Sequence, residues 1–273
     1  MRRVAAGLIV IMSVLLVSCK GKTGNTITVG SDKLDNTQSY FSESMHKAAR
    51  CDSGYYYLDK CGASADNLMF YDDKSEESIV LCNKPQCGHD GEECMAYISG
   101  SEFKSELYYY NSYIYMISSK GNLVRISADG TQRTDLGSIC VLSGQDSVSM
   151  CFNDGYAYVS QEITGDIEGN VTVRLYRFNL DMGSSDKIYE ETGYGIGINS
   201  LKTYGSDTFF LKTSVSKDDK GLYSLEGKGI FRITGENTEC LLDKNVYSYC
   251  IDADNNKLYY SCLLYTSDAA DDL

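Results

Sequence analysis

The chain contains no tryptophan, a single proline (Pro85) and only two histidines (His46 and His89) in 273 residues. Two histidines leave little room for chemistry built on an imidazole base, such as a Ser-His-Asp triad. There is also no G-x-S-x-G elbow, no H-E-x-x-H and no G-x-x-x-x-G-K. No stretch keeps apolar residues at i, i+3, i+4 and i+7 over three turns, which excludes long amphipathic helices. No apolar run reaches the length of about 18 residues that a membrane-spanning helix needs. The formal charge is −13, so nucleic acid and anionic lipid surfaces are poor partners.

What is present begins at the N-terminus. Arg2 and Arg3 precede an apolar run from Val4 to Val17, broken only by Gly7 and Ser13. That is the layout of a signal peptide. The run ends in Leu16-Val17-Ser18-Cys19, which resembles the lipobox of bacterial lipoproteins. The resemblance implies cleavage after residue 18 and a lipid on Cys19, hence a protein anchored in the cell membrane on its extracytoplasmic face. Residues 19–50 are mostly polar and read as a tether, with a short helix over 40–50 as one option. At the other end, residues 262–273 (CLLYTSDAADDL) resemble the conceptual translation of a transposase-type sequencing adapter. That resemblance implies a non-native tail on a chain cut within its last repeat. A chain with an open last sheet edge is expected to fold poorly as written.

Between these ends tyrosine dominates, with 23 copies against 8 phenylalanines, alongside 25 glycines. Tyrosine, β-branched residues and glycine turns together point to β structure. The pattern repeats. Leu123-Val124-Arg125-Ile126-Ser127, Leu175-Tyr176-Arg177-Phe178-Asn179 and Ile230-Phe231-Arg232-Ile233-Thr234 align without gaps, and Leu68-Met69-Phe70-Tyr71-Asp72 is a degenerate earlier copy. A turn follows each one. Before each lies a turn and an aromatic strand: Tyr55-Tyr56-Tyr57, Tyr113-Ile114-Tyr115, Tyr156-Ala157-Tyr158 and Thr208-Phe209-Phe210. Short strands recurring at about 40–55 residues predict a β-propeller. Blades are expected at about 51–81, 107–136, 150–190 and 203–243, with a fifth starting at Tyr249. Residues 51–261 thus read as a partial, all-β propeller of about four blades.

One insert, residues 82–97, interrupts this regularity. Cys82, Cys87, His89 and Cys94 have the spacing C-x4-C-x-H-x4-C. Together with Tyr71-Asp72-Asp73-Lys74, the run Leu81-Cys82-Asn83-Lys84-Pro85-Gln86-Cys87-Gly88-His89 resembles a segment of gut Firmicutes lipoproteins of unknown function. These look related to the low-density-lipoprotein-receptor-type β-propeller. The resemblance implies a fold and an address, with no defined activity. Three thiols and an imidazole fit a tetrahedral zinc ion, with Asp90, Glu92 and Glu93 as outer partners. The spacing is not the C-x2-C knuckle, and an extracytoplasmic thiol is free to pair, so a disulfide staple stands beside the metal reading. Cys51 and Cys61 are nearby partners. Cys140 with Cys151 and Cys240 with Cys250 are further candidate disulfides, or small buried residues. Asp252-Ala253-Asp254 opens like a calcium loop, but its sixth position is Lys257 where glycine belongs, so a hairpin turn is expected.

No catalytic residues can be assigned from this pattern. The favoured function is a binding or scaffolding propeller for a glycan, peptide or protein, with tyrosine rings and hydroxyls offered at its mouth. An extracellular hydrolase or lyase with catalytic groups further along the protein is the alternative. A metal- or redox-sensing lipoprotein using the cysteine insert is another.

Overall fold

The computed structural model describes residues 48–262 except 101, 104–105, 166–168, 205–206, 218–219, 236, 253–254 and 256. The signal peptide, Cys19, His46 and the tail from residue 263 lie outside the described residues. All regular structure among the described residues is β-strand.

The strands fall into successive antiparallel meanders. The first blade is β1 (Ala48–Cys51), β2 (Gly54–Lys60), β3 (Ala65–Asp72) and β4 (Glu77–Val80), with β5 (Tyr97–Ser99) also on β3. The second is β6 (Tyr108–Tyr110), β7 (Tyr113–Ile117), β8 (Asn122–Ser127) and β9 (Arg133–Ser138). The third is β10 (Ser147–Asn153), β11 (Tyr156–Thr164), β12 (Asn170–Asn179) and β13 (Ser184–Tyr194). The fourth is β14 (Gly197–Tyr204), β15 (Asp207–Lys217), β16 (Tyr223–Thr234) and β17 (Asn237–Leu242). A two-stranded sheet follows, β18 (Val246–Asp252) and β19 (Lys257–Cys262). First strands neighbour one another in order: β1 lies beside β6, β6 beside β10, and β10 beside β14. Consecutive four-stranded meanders with neighbouring inner strands are the construction of a β-propeller.

The core is divided accordingly into four seams, each between one blade and the next. Ile114 and Met116 point into the seam with blade one, whereas Tyr115 and Ile117 point into the seam with blade three. Phe210 packs toward blade three and Phe209 toward β18–β19. Period-two alternation therefore buries both faces of the middle blades. Each side chain fully buried in this way contributes roughly 1.5–3 kcal/mol.

The repeats align in space as they do in sequence. The register sets Tyr115 opposite Arg125, Tyr158 opposite Arg177, Phe209 opposite Arg232, and Tyr56 opposite Phe70 in the degenerate copy. The arginines lie against the start of the neighbouring strand. Arg125 is 4.6 Å from the Tyr113 ring centroid and Arg177 is 5.3 Å from that of Tyr156. Arg232 instead reaches Asp207 at 3.6 Å.

Many of the described tyrosines pack between blades. Tyr56, Tyr110 and Tyr115 are buried in the seams. Several tyrosine hydroxyls bond from blade to blade. Tyr56 donates to the Ala128 carbonyl at 3.1 Å, and Tyr249 donates to the Ser200 carbonyl at 2.7 Å. Tyr108 and Tyr110 accept from the N–H groups of Met150 and Gly155. A ring with a polar tip is what a seam between two sheets needs, because sheet edges at the seam leave backbone groups to satisfy.

Two local details differ from the sequence reading. Residues 48–50 belong to strand β1, paired with β2, rather than to a tether or helix. The fifth unit starts before Tyr249, with β18 at Val246–Asp252 paired to the Lys257–Cys262 strand.

Candidate metal centre

The cysteine insert occupies a break in a strand. The outer edge of β3 is covered in two pieces: β4 pairs with Met69–Asp72, and β5 pairs with Ala65–Asn67. Residues 81–96 leave the sheet between those pieces. Leu68 marks the break, donating its N–H to the Ala96 carbonyl and accepting from the Leu81 N–H, both at 2.8 Å. The chain therefore pinches together at Leu68. Cys82 and Cys94 sit just beyond the pinch, and the loop tip with Cys87 and His89 folds back onto them.

Local turn chemistry drives that folding back. Cys87 N–H donates to the Lys84 carbonyl at 3.3 Å, closing a turn with Pro85 at its second position and Gln86 at φ 58°. Proline followed by positive φ is a type II pattern. His89 also has φ 58°, and Cys94 N–H donates to the Gly91 carbonyl at 2.9 Å. Two left-handed residues that are not glycine within four positions store strain, which is common where a side chain must be aimed.

As a result, one ligand atom from each of Cys82, Cys87, His89 and Cys94 lies within 4.8 Å of all the others. His89 Nδ1 and Cys94 Sγ are 3.3 Å apart. Cys94 is buried and the other three are half-buried. The sulfurs rest on the blade-one seam, where Leu81, Ala96 and Ile98 are buried. Burial pushes the Cys94 thiol up to about 11. Burial also acts upward on Cys82, but N–H groups of Lys84 and Met95 and the thiols of Cys94 and Cys87 outweigh it and hold Cys82 below the usual thiol value. N–H donors aimed at sulfur are the outer partners a metal thiolate needs. The arrangement can hold a metal ion, and the ion's own charge would draw Cys94 into thiolate form.

The expected acidic partners do not turn inward. Asp90, Glu92 and Glu93 are exposed, and Glu93 instead bridges to Lys84 Nζ at 3.3 Å. None of the ten described cysteines is bonded to another. Cys51 is buried and its thiol donates to the Gly54 carbonyl at 3.4 Å, while Cys61 lies just past β2. Cys140 and Cys151 lie in different seams, the first between blades two and three, the second between three and four. Burial pushes Cys151 up to about 12, which makes it an inert core residue. Cys240 and Cys250 are exposed on β17 and β18. The Asp252 carboxylate accepts from the Asn255 N–H and side-chain amide at 3.1 and 2.9 Å, the work of a hairpin turn.

No protein-family model matches the chain, and no curated protein matches it. Among solved structures, an oligogalacturonate lyase in complex with manganese is similar at 11% identity and TM-score 0.42, over 72% of this chain and 51% of that one. BamB from Moraxella catarrhalis is similar at 11% identity and TM-score 0.37, over 81% of this chain and 56% of that one. A quinohemoprotein alcohol dehydrogenase from Comamonas testosteroni is similar at 12% identity and TM-score 0.42, over 79% and 39%. The chain thus spans about half the length of the lyase it is similar to.

Proposed function

We propose that this protein is a lipid-anchored, extracytoplasmic β-propeller that serves as a binding or scaffolding module, and that a zinc ion on Cys82, Cys87, His89 and Cys94 closes its first blade. The observation that carries the zinc reading is the convergence of four ligand atoms within 4.8 Å at the break in the outer strand. Three sulfurs and one nitrogen suit zinc, whose bonds of about 2.3 Å to sulfur and about 2.0 Å to nitrogen need only a small contraction of this cluster. Four protein ligands fill a tetrahedron and leave no open position, so the ion would hold structure rather than perform catalysis. A disulfide would use two of the three thiols and leave the third beside His89 without a role.

The membrane address rests on the Leu16-Val17-Ser18-Cys19 ending. The binding role is supported by the regular blades, which leave their connecting loops free to differ. Metal analysis of anaerobically purified protein is expected to give one zinc per chain, lost in Cys82→Ser and His89→Ala. Metal-free wild-type protein with all thiols titratable would remove the zinc reading. Cys19→Ser is expected to move the protein from the membrane fraction to the soluble one, and retention on the membrane would remove the anchor.

A further inference from the structure

We propose that Tyr194 and Tyr223 form an aromatic platform for an uncharged polysaccharide. The proposal rests on reading the chain as a binding propeller and names where and what it binds. Most large aromatic rings here are spent between blades. Tyr110, Tyr115, Phe152, Phe178, Phe209 and Phe210 are all fully buried. Tyr194 and Tyr223 are 42% and 60% exposed, and Leu222 and Leu225 beside Tyr223 are exposed at 66% and 63%. Exposed apolar side chains gathered together mark a binding site more often than ones scattered singly.

The pair is assembled from two blades. Tyr194 ends β13 of blade three, and Tyr223 begins β16 of blade four. Their centroids are 6.4 Å apart with planes 24° from parallel. The backbone holds Tyr194 in position. Gly195 N–H donates to the Gly169 carbonyl at 2.8 Å, and Val215 N–H donates to the Gly195 carbonyl at 3.1 Å. Gly169 has φ 78°, and a Cβ there would sit 2.9 Å from the Tyr194 ring, so only glycine seats that ring. A cation edges the pair. The Lys217 ammonium lies 5.2 Å from the Tyr223 ring centroid. A ring seated by its backbone has little conformational freedom left to lose on binding.

The chemistry selects the ligand. Sugar rings present an apolar C–H face edged by hydroxyls, which matches rings edged by phenol and ammonium donors. The net charge of −13 opposes an acidic polymer, and Lys217 on the platform opposes a cationic peptide. An uncharged glycan meets neither objection.

The full chain, run in native gels containing glucomannan, hydroxyethylcellulose or dextran, is expected to be retarded by at least one of them. It should not be retarded by polygalacturonate. Tyr194→Ala and Tyr223→Ala are expected to weaken retardation at least tenfold, and Tyr223→Phe to keep most of it because the ring remains. Should the alanine variants misfold, iodination mapped by mass spectrometry reads the same contact in wild-type protein, with Tyr194 and Tyr223 protected by the retarding polysaccharide. Equal retardation of wild type and Tyr223→Ala, or unchanged iodination, would overturn the platform while leaving the binding reading intact. No retardation by any neutral polysaccharide would also overturn it. Capture of a protein partner that requires Leu222 and Leu225 would replace it with a protein-docking surface.

Discussion

Gly130 shows how closely the insert is fitted to the second blade. It has φ 69° in the turn after β8, and a Cβ there would lie 2.6 Å from the Leu81 carbonyl oxygen and 3.0 Å from the Cys82 nitrogen. Gly130→Ala is expected to cost about 1–3 kcal/mol by denaturant unfolding. It should also weaken metal retention, because the displaced backbone carries Cys82. One residue earlier, Asp129 accepts from the Ser127 and Thr131 hydroxyls and the Thr131 N–H, which bring its carboxyl down to about 2 from an ordinary 3.8. A carboxyl lowered in the folded state stabilises above its unfolded value, and that contribution disappears as pH falls through the folded one. Asp129→Asn is therefore expected to melt below wild type at neutral pH and level with it near pH 2. A gap that persists in acid would contradict this account.

At the scale of elements, the blade-one outer strand is the unusual part. A four-residue strand and a three-residue strand share one neighbour, and the 16 residues between them have no sheet partner of their own. A metal would supply the closure that missing ladder bonds do not. Removing the ion with a chelator, or with Cys94→Ser, is expected to open the 81–96 segment to limited proteolysis while blades two to four stay resistant. Cleavage that is the same with and without metal would argue that the turns alone hold the loop. Between elements, Tyr56→Phe deletes one hydroxyl bond across the first seam and is expected to cost about 1 kcal/mol in thermal or denaturant unfolding.

For the whole molecule, stability is a sum over seams, as in other repeat folds. The seam between blades three and four adds a bridge from Lys212 to Glu191, with the lysine also 5.3 Å from the Phe231 ring. Sheet β18–β19 packs on blade four through Val246, Tyr249 and Ile251, yet Tyr247, Tyr259 and Tyr260 are exposed on it. Hydrogen exchange is accordingly expected to be fastest in β19 and slowest in the buried middle of β7, β11 and β15, strands that lie between two neighbours in their sheets. Uniform protection across the five sheets would contradict a seam-by-seam account.

The blade repeats were legible in the chain because strand period and turn chemistry are local. Tyr113-Ile114-Tyr115 and Leu123-Val124-Arg125 form their hairpin through the short turn between them, and the same pairing recurs in the next two blades in hairpins with longer arms. The C-x4-C-x-H-x4-C run was legible as a ligand set for the same reason: its members lie within 13 residues. Its placement was not, because the bonds from Leu68 to Leu81 and Ala96 span 13 and 28 positions and are made only when β3 is in place. The tyrosines were legible as residues but not as positions. Composition gives the rings but not their direction, and the seams take most of them. Nothing in sequence joins residues 194 and 223. Blade three must pack on blade four before those two rings meet. Sequence alone thus determined which strands and which candidate ligand set exist, since those depend on neighbours along the chain. Only the tertiary structure decided which of them share a site, since that depends on neighbours across a seam.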